Sequence, residues 1–174
     1  MDNLTADEHL AIDVVGDATA IPFKDASIDA ILCLNVLEHI QEPNALLEEC
    51  FRVVTPQGQL FITVPFGLGF HMCPYDYYRF TEYGLRYLFE KAGFTVIFIR
   101  PLSGHFSFIG AQVRAVGLEL WRDKSLCNLP FFLLLGVIIP AFCFCLDKLD
   151  RKRRFSQCYR ASTLDYSCYC VKSA

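Results

Sequence analysis

The sequence predicts an α/β protein with a mainly parallel sheet, and three observations support that prediction. Short continuous apolar runs, typical of buried parallel strands, alternate with segments whose apolar residues recur at helical spacing. The 174 residues are enough for one domain with its own core. Before the last predicted strand, eighteen residues without a charge run from Leu129 to Leu146, which predicts a hydrophobic helical insertion over residues 103–160.

The first half of the chain predicts three strands and one helix. Ala11 to Val15 is an apolar stretch that stops at a turn, Gly16-Asp17. Ile28 to Leu34 is a continuous apolar run, as expected for a strand buried on both faces of a sheet. Pro43 opens a helix that ends at Thr55-Pro56-Gln57-Gly58, and the next strand is Leu60 to Val64. Three charged residues of that helix are expected to face water: Glu48, Glu49 and Arg52.

The second half predicts another helix and two more strands. Thr81 is the expected N-cap of the helix, and Gly93 is expected to terminate it. Phe94 to Ile99 follows as a strand, and Tyr166 to Val171 alternates as a last strand.

Composition limits the classes of function. With 53% hydrophobic residues the chain is richer in apolar side chains than a typical soluble domain, so some apolar surface needs a partner other than the core. A net charge of -3 argues against a nucleic-acid partner. Nine cysteines without disulfide-framework or zinc spacing predict free thiols in a reducing compartment. The polar, acidic start of the chain does not resemble a signal peptide, so a cytoplasmic protein is expected.

A possible nucleotide site follows the first predicted strand. In an open parallel sheet, ligands bind at the carboxyl ends of the strands, and Asp17 lies at such an end. Its carboxylate can accept from an exocyclic amine, the Ala18 amide can donate to a ring nitrogen, and Ile21 and Phe23 can pack on a flat aromatic face. The alternative is an Asx-type turn at Asp17, with Ile21-Pro22-Phe23 simply part of the core.

The order of the short motifs is more specific than any one of them. It resembles the class I S-adenosylmethionine-dependent methyltransferases, methyltransferase type 11 branch, over Asp13 to Phe94. The resemblance implies a Rossmann-like sheet in a single methyltransferase-like domain spanning residues 1–174, with S-adenosyl-L-methionine as cofactor. The motifs that carry it are Gly-Asp-Ala at 16–18, Pro-Phe at 22–23, Asn-Val-Leu-Glu-His at 35–39, Thr-Pro-x-Gly at 55–58 and Val-Pro-Phe at 64–66.

The resemblance also implies roles for individual residues. Asp17 and Ala18 match the adenine contact, and the loop from Ile21 to Phe23 matches the wall of the adenine pocket. Leu34 and Asn35 match the end of a strand beneath the methionine portion of the cofactor. Glu38 and His39 then lie near the methyl-transfer centre.

A metal is not expected from the sequence. Asn35, Glu38 and His39 fall at i, i+3 and i+4, where two related branches of the family use Glu-x-x-Glu-His to hold a divalent metal. Asn35 replaces the first Glu and removes a charged ligand, which leaves His71 as the only obvious extra donor. Capping and packing roles for Glu38 and His39 are favoured instead.

The loop after the strand that ends at Val64 resembles the corresponding loop of the same branch. It is expected to line the acceptor pocket through Tyr77, Tyr78 and Arg79. His71 and His39 are the candidate catalytic residues, because a histidine beside a hydroxyl can act as a general base. Methyl transfer from a sulfonium also proceeds by positioning alone. A structural alternative is an ion pair between Asp76 and Arg79 that fixes the loop.

The family's glycine-rich first motif is not found in this sequence. That motif follows the first strand and contacts the cofactor, and no comparable turn precedes Asp17. The sequence therefore predicts an N-terminally truncated sheet. A fragment, a misplaced start codon and a degenerate paralogue all fit this prediction.

The apolar run at 129–146 is near the lower length limit for a membrane span. Pro130 and Pro140 interrupt it, and basic residues 151–154 follow it. Because a single crossing would separate the last strand from its sheet, a monotopic or re-entrant insertion is favoured, with Phe106 to Trp121 as a companion helix. A single-span anchor and a buried core helix are the alternatives.

These observations lead to one main functional hypothesis. It is a cytoplasmic, membrane-associated enzyme that transfers a methyl group from S-adenosyl-L-methionine to a small-molecule or lipid-linked acceptor, with a membrane surface contacted through 129–146. Oxygen, nitrogen and carbon acceptors all remain open. The alternative hypothesis is a non-catalytic methyltransferase-like remnant that serves as an interaction or membrane-anchoring module.

Overall fold

A computed structural model describes residues 13–122, 129–153 and 163–173. Strand β1 is Ile28–Leu34, and a 3₁₀ turn at Leu37–His39 follows it. The central elements are α1 (Pro43–Val53), β2 (Val54–Pro65), α2 (Glu82–Lys91) and β3 (Phe94–Pro101). Helices α3 (His105–Arg122) and α4 precede β4 (Asp165–Lys172). Helix α4 has three segments: α-helical Leu129–Phe131, π-helical Phe132–Ile138 and α-helical Ile139–Arg153.

The four strands form one sheet in the order β1-β2-β4-β3. β1 and β2 are parallel, with Leu34 opposite Thr63 at their carboxyl ends. β4 lies between β2 and β3 and is antiparallel to both. The predicted α/β class is therefore confirmed as a mixed sheet, in which three strands share one direction and the last strand opposes them.

Helices α1 and α2 cover one face of the sheet, and the buried core lies beneath them. Leu47, Leu60 and Phe89 are fully buried there. The prediction that Ile28–Leu34 is buried on both faces is wrong, because Leu32 and Leu34 are 67% and 51% exposed. In the described part of the chain, this strand has helices on one side only, so its inward and outward residues alternate.

The strand predicted over Ala11 to Val15 is also not formed at residues 13–15, the part of it that the structure describes. Residues 11 and 12 lie outside the described residues, while Asp13 to Val15 have no strand structure and Val15 is 88% exposed. An isolated antiparallel bridge between Asp17 and Ala20 follows instead. Hydrophobic residues alone do not make a strand without a neighbouring strand to pair with.

The helix boundaries follow local rules that were visible in the sequence. Pro43 occupies the first turn of α1, as predicted. The Oγ1 of Thr81 accepts the Gly84 amide at 3.1 Å and caps α2. Gly93 ends that region with a φ of +98°, a left-handed conformation that suits glycine. The segment predicted to stop α1 instead belongs to β2, which begins directly at Val54.

The insertion between β3 and β4 contains a pair of helices, α3 and α4. Buried Asp147 of α4 accepts the backbone amides of Gly104, Phe106 and Ser107, at 3.0, 3.1 and 3.0 Å, and so caps the start of α3. Further along, Gly117 of α3 packs directly on the backbone of Gly136. The helices are thus held by a cap at one point and by close backbone packing at another.

The alternative of a buried core helix over the sheet is wrong. Leu129–Leu149 is long and apolar enough to cross a membrane by length and composition, and only 11% of its apolar window is buried. The sheet uses α1 and α2 for its core, so the apolar side chains of α4 remain on the surface.

Candidate functional site

The carboxyl end of β1 changes direction sharply at Asn35. This residue has a φ of +53°, in the left-handed region that asparagine tolerates better than most residues. Its amide donates to the Thr63 carbonyl at 3.0 Å, and its Oδ1 accepts the Thr63 hydroxyl at 2.7 Å. Asn35 therefore ties the ends of β1 and β2 together and directs the chain into the 3₁₀ turn.

Glu38 lies in that turn with a fully buried side chain. Neither of its carboxylate oxygens has a hydrogen-bond partner among the described residues. Burial raises the pKa of Glu38, and the nearby His39, His71 and Arg79 oppose that rise. The sequence favoured a capping role for Glu38, but no side-chain cap is formed at this turn.

Two histidines approach the same oxygen of Glu38. The Nε2 atoms of His39 and His71 both lie 3.6 Å from Glu38 Oε1. The two rings meet edge to face, with centroids 4.8 Å apart. His39 comes from the same turn and His71 from the loop after β2, so residues 32 positions apart in sequence (71 minus 39) form one cluster.

The loop that carries His71 is fixed by an ion pair. Arg79 contacts both oxygens of Asp76, at 2.6 and 2.8 Å, and the backbone carbonyls of Leu68 and Gly69 accept from the same guanidinium. The Arg79 guanidinium holds the pKa of Asp76 well below its usual value. Asp76 in turn accepts the His71 amide at 2.9 Å. The predicted ion pair thus exists, and it orients the backbone at His71.

Tyr77 and Tyr78 connect the same loop to the 3₁₀ turn. Both of their amides donate to the Glu38 carbonyl, at 3.0 and 3.3 Å. The Tyr77 hydroxyl accepts from the Gln41 side chain, and the Tyr78 hydroxyl donates to the Gln41 carbonyl, each at 2.9 Å. The loop that carries the predicted acceptor-pocket residues is therefore joined to the 3₁₀ turn by backbone and side-chain hydrogen bonds around Glu38.

Asp17 forms the Asx-type turn that was the structural alternative. Its Oδ1 accepts both the amide and the hydroxyl of Thr19 at 2.7 Å. These bonds lower the pKa of Asp17, so the carboxylate is charged at neutral pH. Its Oδ2 makes no hydrogen bond within the described part of the chain, which leaves one acceptor atom for a ligand amine. The turn and the predicted adenine contact are compatible.

The loop from Ile21 to Phe23 is held by two residues whose role the sequence did not reveal. Glu49 accepts the Ile21 amide at 2.9 Å, and Arg52 donates to the carbonyls of Ile21 and Phe23, each at 2.9 Å. Arg52 also pairs with Glu49 and with Asp25. The expectation that Glu49 and Arg52 face water is therefore wrong; both are half-buried and fix this loop on α1. Their i, i+3 spacing was the only visible signal.

Half-buried Asp165, at the start of β4, was also missed. Its Oδ1 has no hydrogen-bond partner among the described residues, and it interacts electrostatically with His71. Burial raises the pKa of Asp165, and Asn35 and His71 oppose the rise. Nothing in the local sequence placed this residue near His71, because β4 reaches the sheet only after the helical insertion.

Known proteins with similar sequences agree on one family. A family model described as a methyltransferase domain matches residues 2–62. A probable S-adenosylmethionine-dependent methyltransferase of Mycolicibacterium smegmatis is 30% identical over 131 residues, which are 65% of this chain and 51% of that protein. The predicted resemblance to the class I S-adenosylmethionine-dependent methyltransferases is therefore confirmed.

Other methyltransferase relatives match shorter segments. A ubiquinone biosynthesis O-methyltransferase of Pseudomonas putida is 34% identical over 95 residues, 53% of this chain and 37% of that enzyme. The chain thus spans about half of the length of the Mycolicibacterium protein and 37% of the length of the Pseudomonas enzyme.

Solved structures agree with the fold. The [4+2]-cyclase SpnF matches 92% of this chain and 55% of its own with a TM-score of 0.56 at 17% identity. A methyltransferase from Galdieria sulphuraria matches 91% of this chain and 58% of its own with a TM-score of 0.52 at 18% identity. The Rossmann-like methyltransferase fold is therefore confirmed.

The cofactor of such methyltransferases is S-adenosyl-L-methionine. The Oδ2 of Asp17 and the clamped loop from Ile21 to Phe23 fit an adenine, since they provide an acceptor next to an apolar wall. The structure thus places the predicted site residues in two groups. One group is the turn and loop at residues 17–23, which is held against α1. The other group surrounds Glu38 at the carboxyl ends of β1 and β2.

Proposed function

We propose that this methyltransferase uses S-adenosyl-L-methionine to methylate a hydrophobic or lipid-linked acceptor at a membrane surface. The observation that carries the proposal is the cluster of Glu38, His39 and His71 at the carboxyl ends of β1 and β2. Ligands of open α/β sheets bind at this edge, and these polar side chains converge there from two separate segments.

Asp17 and the loop from Ile21 to Phe23 are proposed to hold the adenine, with Ala18 donating its amide. Leu34 and Asn35, at the end of β1, are proposed to lie beside the methionine portion. The apolar Leu34 side chain is 51% exposed, so it offers surface for a ligand to cover.

Bound S-adenosyl-L-methionine supplies an electrophilic methyl group on a sulfonium. The protein must hold the acceptor atom in line with that group, and positioning of this kind accounts for most of such a rate enhancement. His71 and His39 are proposed to touch the acceptor, and Tyr77 and Tyr78 to line its pocket. Arg79 is proposed to act indirectly, because its guanidinium is engaged with Asp76 and with carbonyls of its own loop.

Cofactor binding is testable with one conservative pair of variants. Asp17→Asn keeps the ability to form an Asx turn but removes the charge that accepts an amine, so S-adenosylhomocysteine should bind about tenfold more weakly, as for the loss of one charge-assisted hydrogen bond. Asp13→Asn, at another exposed carboxylate, should bind as the unmodified protein does. Calorimetric titration measures both. Equal affinities for the two variants, or no heat from the folded protein, would contradict this assignment.

The membrane part of the proposal is supported by α4 and its junction with the site. Large apolar side chains are exposed along the helix, including Phe142 at 62% and Phe144 at 55%. In the neighbouring helix α3, Gln112 donates to the Gly67 carbonyl at 2.7 Å, and the Phe108 ring packs against Gly67. Gly67 begins the loop that carries His71, so an acceptor held by the helices would lie close to the loop.

Flotation with liposomes tests the membrane contact. Phe142→Ser combined with Phe144→Ser should reduce co-flotation at least tenfold, because each change removes an apolar side chain that a lipid phase would bury. Tyr83→Ser is the matched control, since Tyr83 is an aromatic residue of α2 that is 83% exposed. An equal loss in the control, or no flotation of the unmodified protein, would refute membrane docking through α4 without affecting the cofactor assignment.

A further inference from the structure

The carboxylate of Glu38 is buried next to a second hydrogen-bond acceptor. Its side chain is fully buried, and neither of its oxygens has a hydrogen-bond partner among the described residues. His39 donates its Nδ1 hydrogen to the Tyr75 carbonyl, 2.6 Å away, so the neutral ring presents the lone pair of Nε2 to Glu38 Oε1. Buried polar groups in proteins are nearly always paired, which makes this carboxylate a candidate to receive a donor from a ligand.

His71 adds a third acceptor at the same point. Its Nδ1 lies 3.3 Å from the Gly69 carbonyl and 3.6 Å from an Asp76 carboxylate oxygen. Arg79 Nη2 lies 3.5 Å from that nitrogen, but it donates at shorter distances, 2.8 and 3.0 Å, to Asp76 and Gly69. The two oxygens favour a proton on Nδ1 of His71, which leaves the lone pair of Nε2 directed at Glu38 Oε1, 3.6 Å away.

The spacing of the three acceptors matches an ammonium group. One such atom from each of Glu38, His39 and His71 lies within 4.8 Å of the other two, and both carboxylate–imidazole distances are 3.6 Å. A single nitrogen can therefore lie about 2.9 Å from all three, the ordinary distance between an N–H donor and its acceptor. A protonated primary amine carries three hydrogens and can donate to all three acceptors at once. A hydroxyl has one hydrogen and leaves two of them unpaired.

The charges around the cluster also favour a cation. The guanidinium of Arg79 is engaged with Asp76. Asp165 lies opposite Pro65 at the carboxyl end of β2, and its buried Oδ1 has no hydrogen-bond partner in the described part of the chain. A positively charged amine is attracted by Asp165 and Glu38, whereas an acidic hydroxyl that must lose its proton is repelled once it is charged. These charges favour a nitrogen acceptor over an acidic oxygen.

We propose that Glu38, His39 and His71 bind the amino group of the acceptor, so that the methyl group is transferred to nitrogen. The inference rests on the proposed function and narrows its acceptor to a primary amine attached to an apolar body. The ammonium gives one proton to Nε2 of His71, and the freed lone pair of the amine forms a bond to the methyl carbon while the bond from that carbon to the sulfonium sulfur breaks. The products are a methylated ammonium and S-adenosylhomocysteine. His71, whose side chain is 34% exposed, then releases its extra proton to solvent.

Amine recognition is testable without methyl transfer. Calorimetry of the full-length protein compares hexylamine with n-hexanol, which has the same apolar chain and no charge. Hexylamine should bind at least tenfold more tightly. Glu38→Gln should weaken hexylamine binding about tenfold, whereas Glu48→Gln, at an exposed carboxylate on α1, should not change it. No binding of hexylamine, equal affinities for the amine and the alcohol, or full-strength hexylamine binding to Glu38→Gln would each overturn the proposal.

A second variant and a product analysis complete the test. His71→Phe removes an acceptor on a surface loop and should weaken hexylamine binding about tenfold, so it remains informative if circular dichroism shows that Glu38→Gln does not fold. Aminohexanol with its two groups at opposite ends offers both acceptor atoms to the protein and S-adenosyl-L-methionine. Mass spectrometry should find the methyl group on nitrogen, and an O-methyl product would overturn the proposal. Glu38-dependent amine binding without any methylated product would contradict the proposed methyltransferase activity but support amine recognition at this cluster.

Discussion

Replacing Glu38 by Leu should make the protein more stable. A carboxyl group that is buried without a hydrogen bond costs ~1–3 kcal/mol. Imperfect packing of the branched side chain offsets about 1 kcal/mol of that gain. The backbone carbonyl of Glu38, which accepts from Tyr77 and Tyr78, is unchanged. We therefore expect a net stabilisation of up to about 2 kcal/mol, or up to roughly 8 °C in melting temperature for a chain of this size.

The assay is urea unfolding at pH 8, followed by circular dichroism. Glu48→Leu serves as the control, since Glu48 is an exposed carboxylate on α1 and its replacement should change stability by no more than ~0.5 kcal/mol. If Glu38→Leu unfolds at lower urea than the unmodified protein, the carboxylate stabilises the fold and the reasoning about its missing partner is wrong.

Two further predictions concern the helical pair and the thiols. A Cβ at Gly117 would lie 2.5 Å from the Gly136 backbone nitrogen, so Gly117→Ala should destabilise the protein by ~1–2 kcal/mol in thermal unfolding despite alanine's higher helix propensity. Gly136→Ala meets only the Phe132 ring, at 3.0 Å, and should cost less; an equal or larger cost would contradict backbone packing. Burial raises the pKa of Cys50 to about 12, so at pH 8 iodoacetamide should leave Cys50 unmodified and label the exposed Cys145. Peptide mapping measures both reactions. Rapid labelling of Cys50 in the folded protein would contradict its burial.

Local features of the fold were predictable because their causes are local. The cap at Thr81 and the left-handed Gly93 depend on a few adjacent residues, and both were confirmed. The strand expected before Gly16 is not formed at residues 13–15, the part of it that the structure describes. A strand also needs a hydrogen-bonding neighbour, which a short-range sequence pattern cannot supply. The exposure of Leu32 has the same origin, because an apolar run does not reveal which faces of a sheet receive helices.

The candidate site was only partly predictable for a related reason. Glu38 and His39 could be placed near the site because they follow a strand. Their contact with His71 could not be predicted, because it requires the loop after β2 to fold back onto the 3₁₀ turn. Arg52 and Glu49 have the spacing of a common surface pair on a helix, yet they bind a loop about thirty residues earlier in the chain. Asp165 reaches the site only through the position of β4 within the sheet.

The helical insertion meets the loop that carries His71 at Gly67, and this contact constrains how a hydrophobic acceptor could enter. The amides of Phe66 and Gly67 donate to the Leu164 carbonyl, just before β4, while Gln112 holds Gly67 from α3. The loop to His71 is therefore anchored between the last strand and the first insertion helix. If α4 docks on lipid, as proposed, these contacts at Phe66 and Gly67 fix the distance and orientation of His71 relative to the membrane. A soluble acceptor would gain nothing from this arrangement, whereas one that stays partly in the lipid would reach the site without leaving an apolar surface.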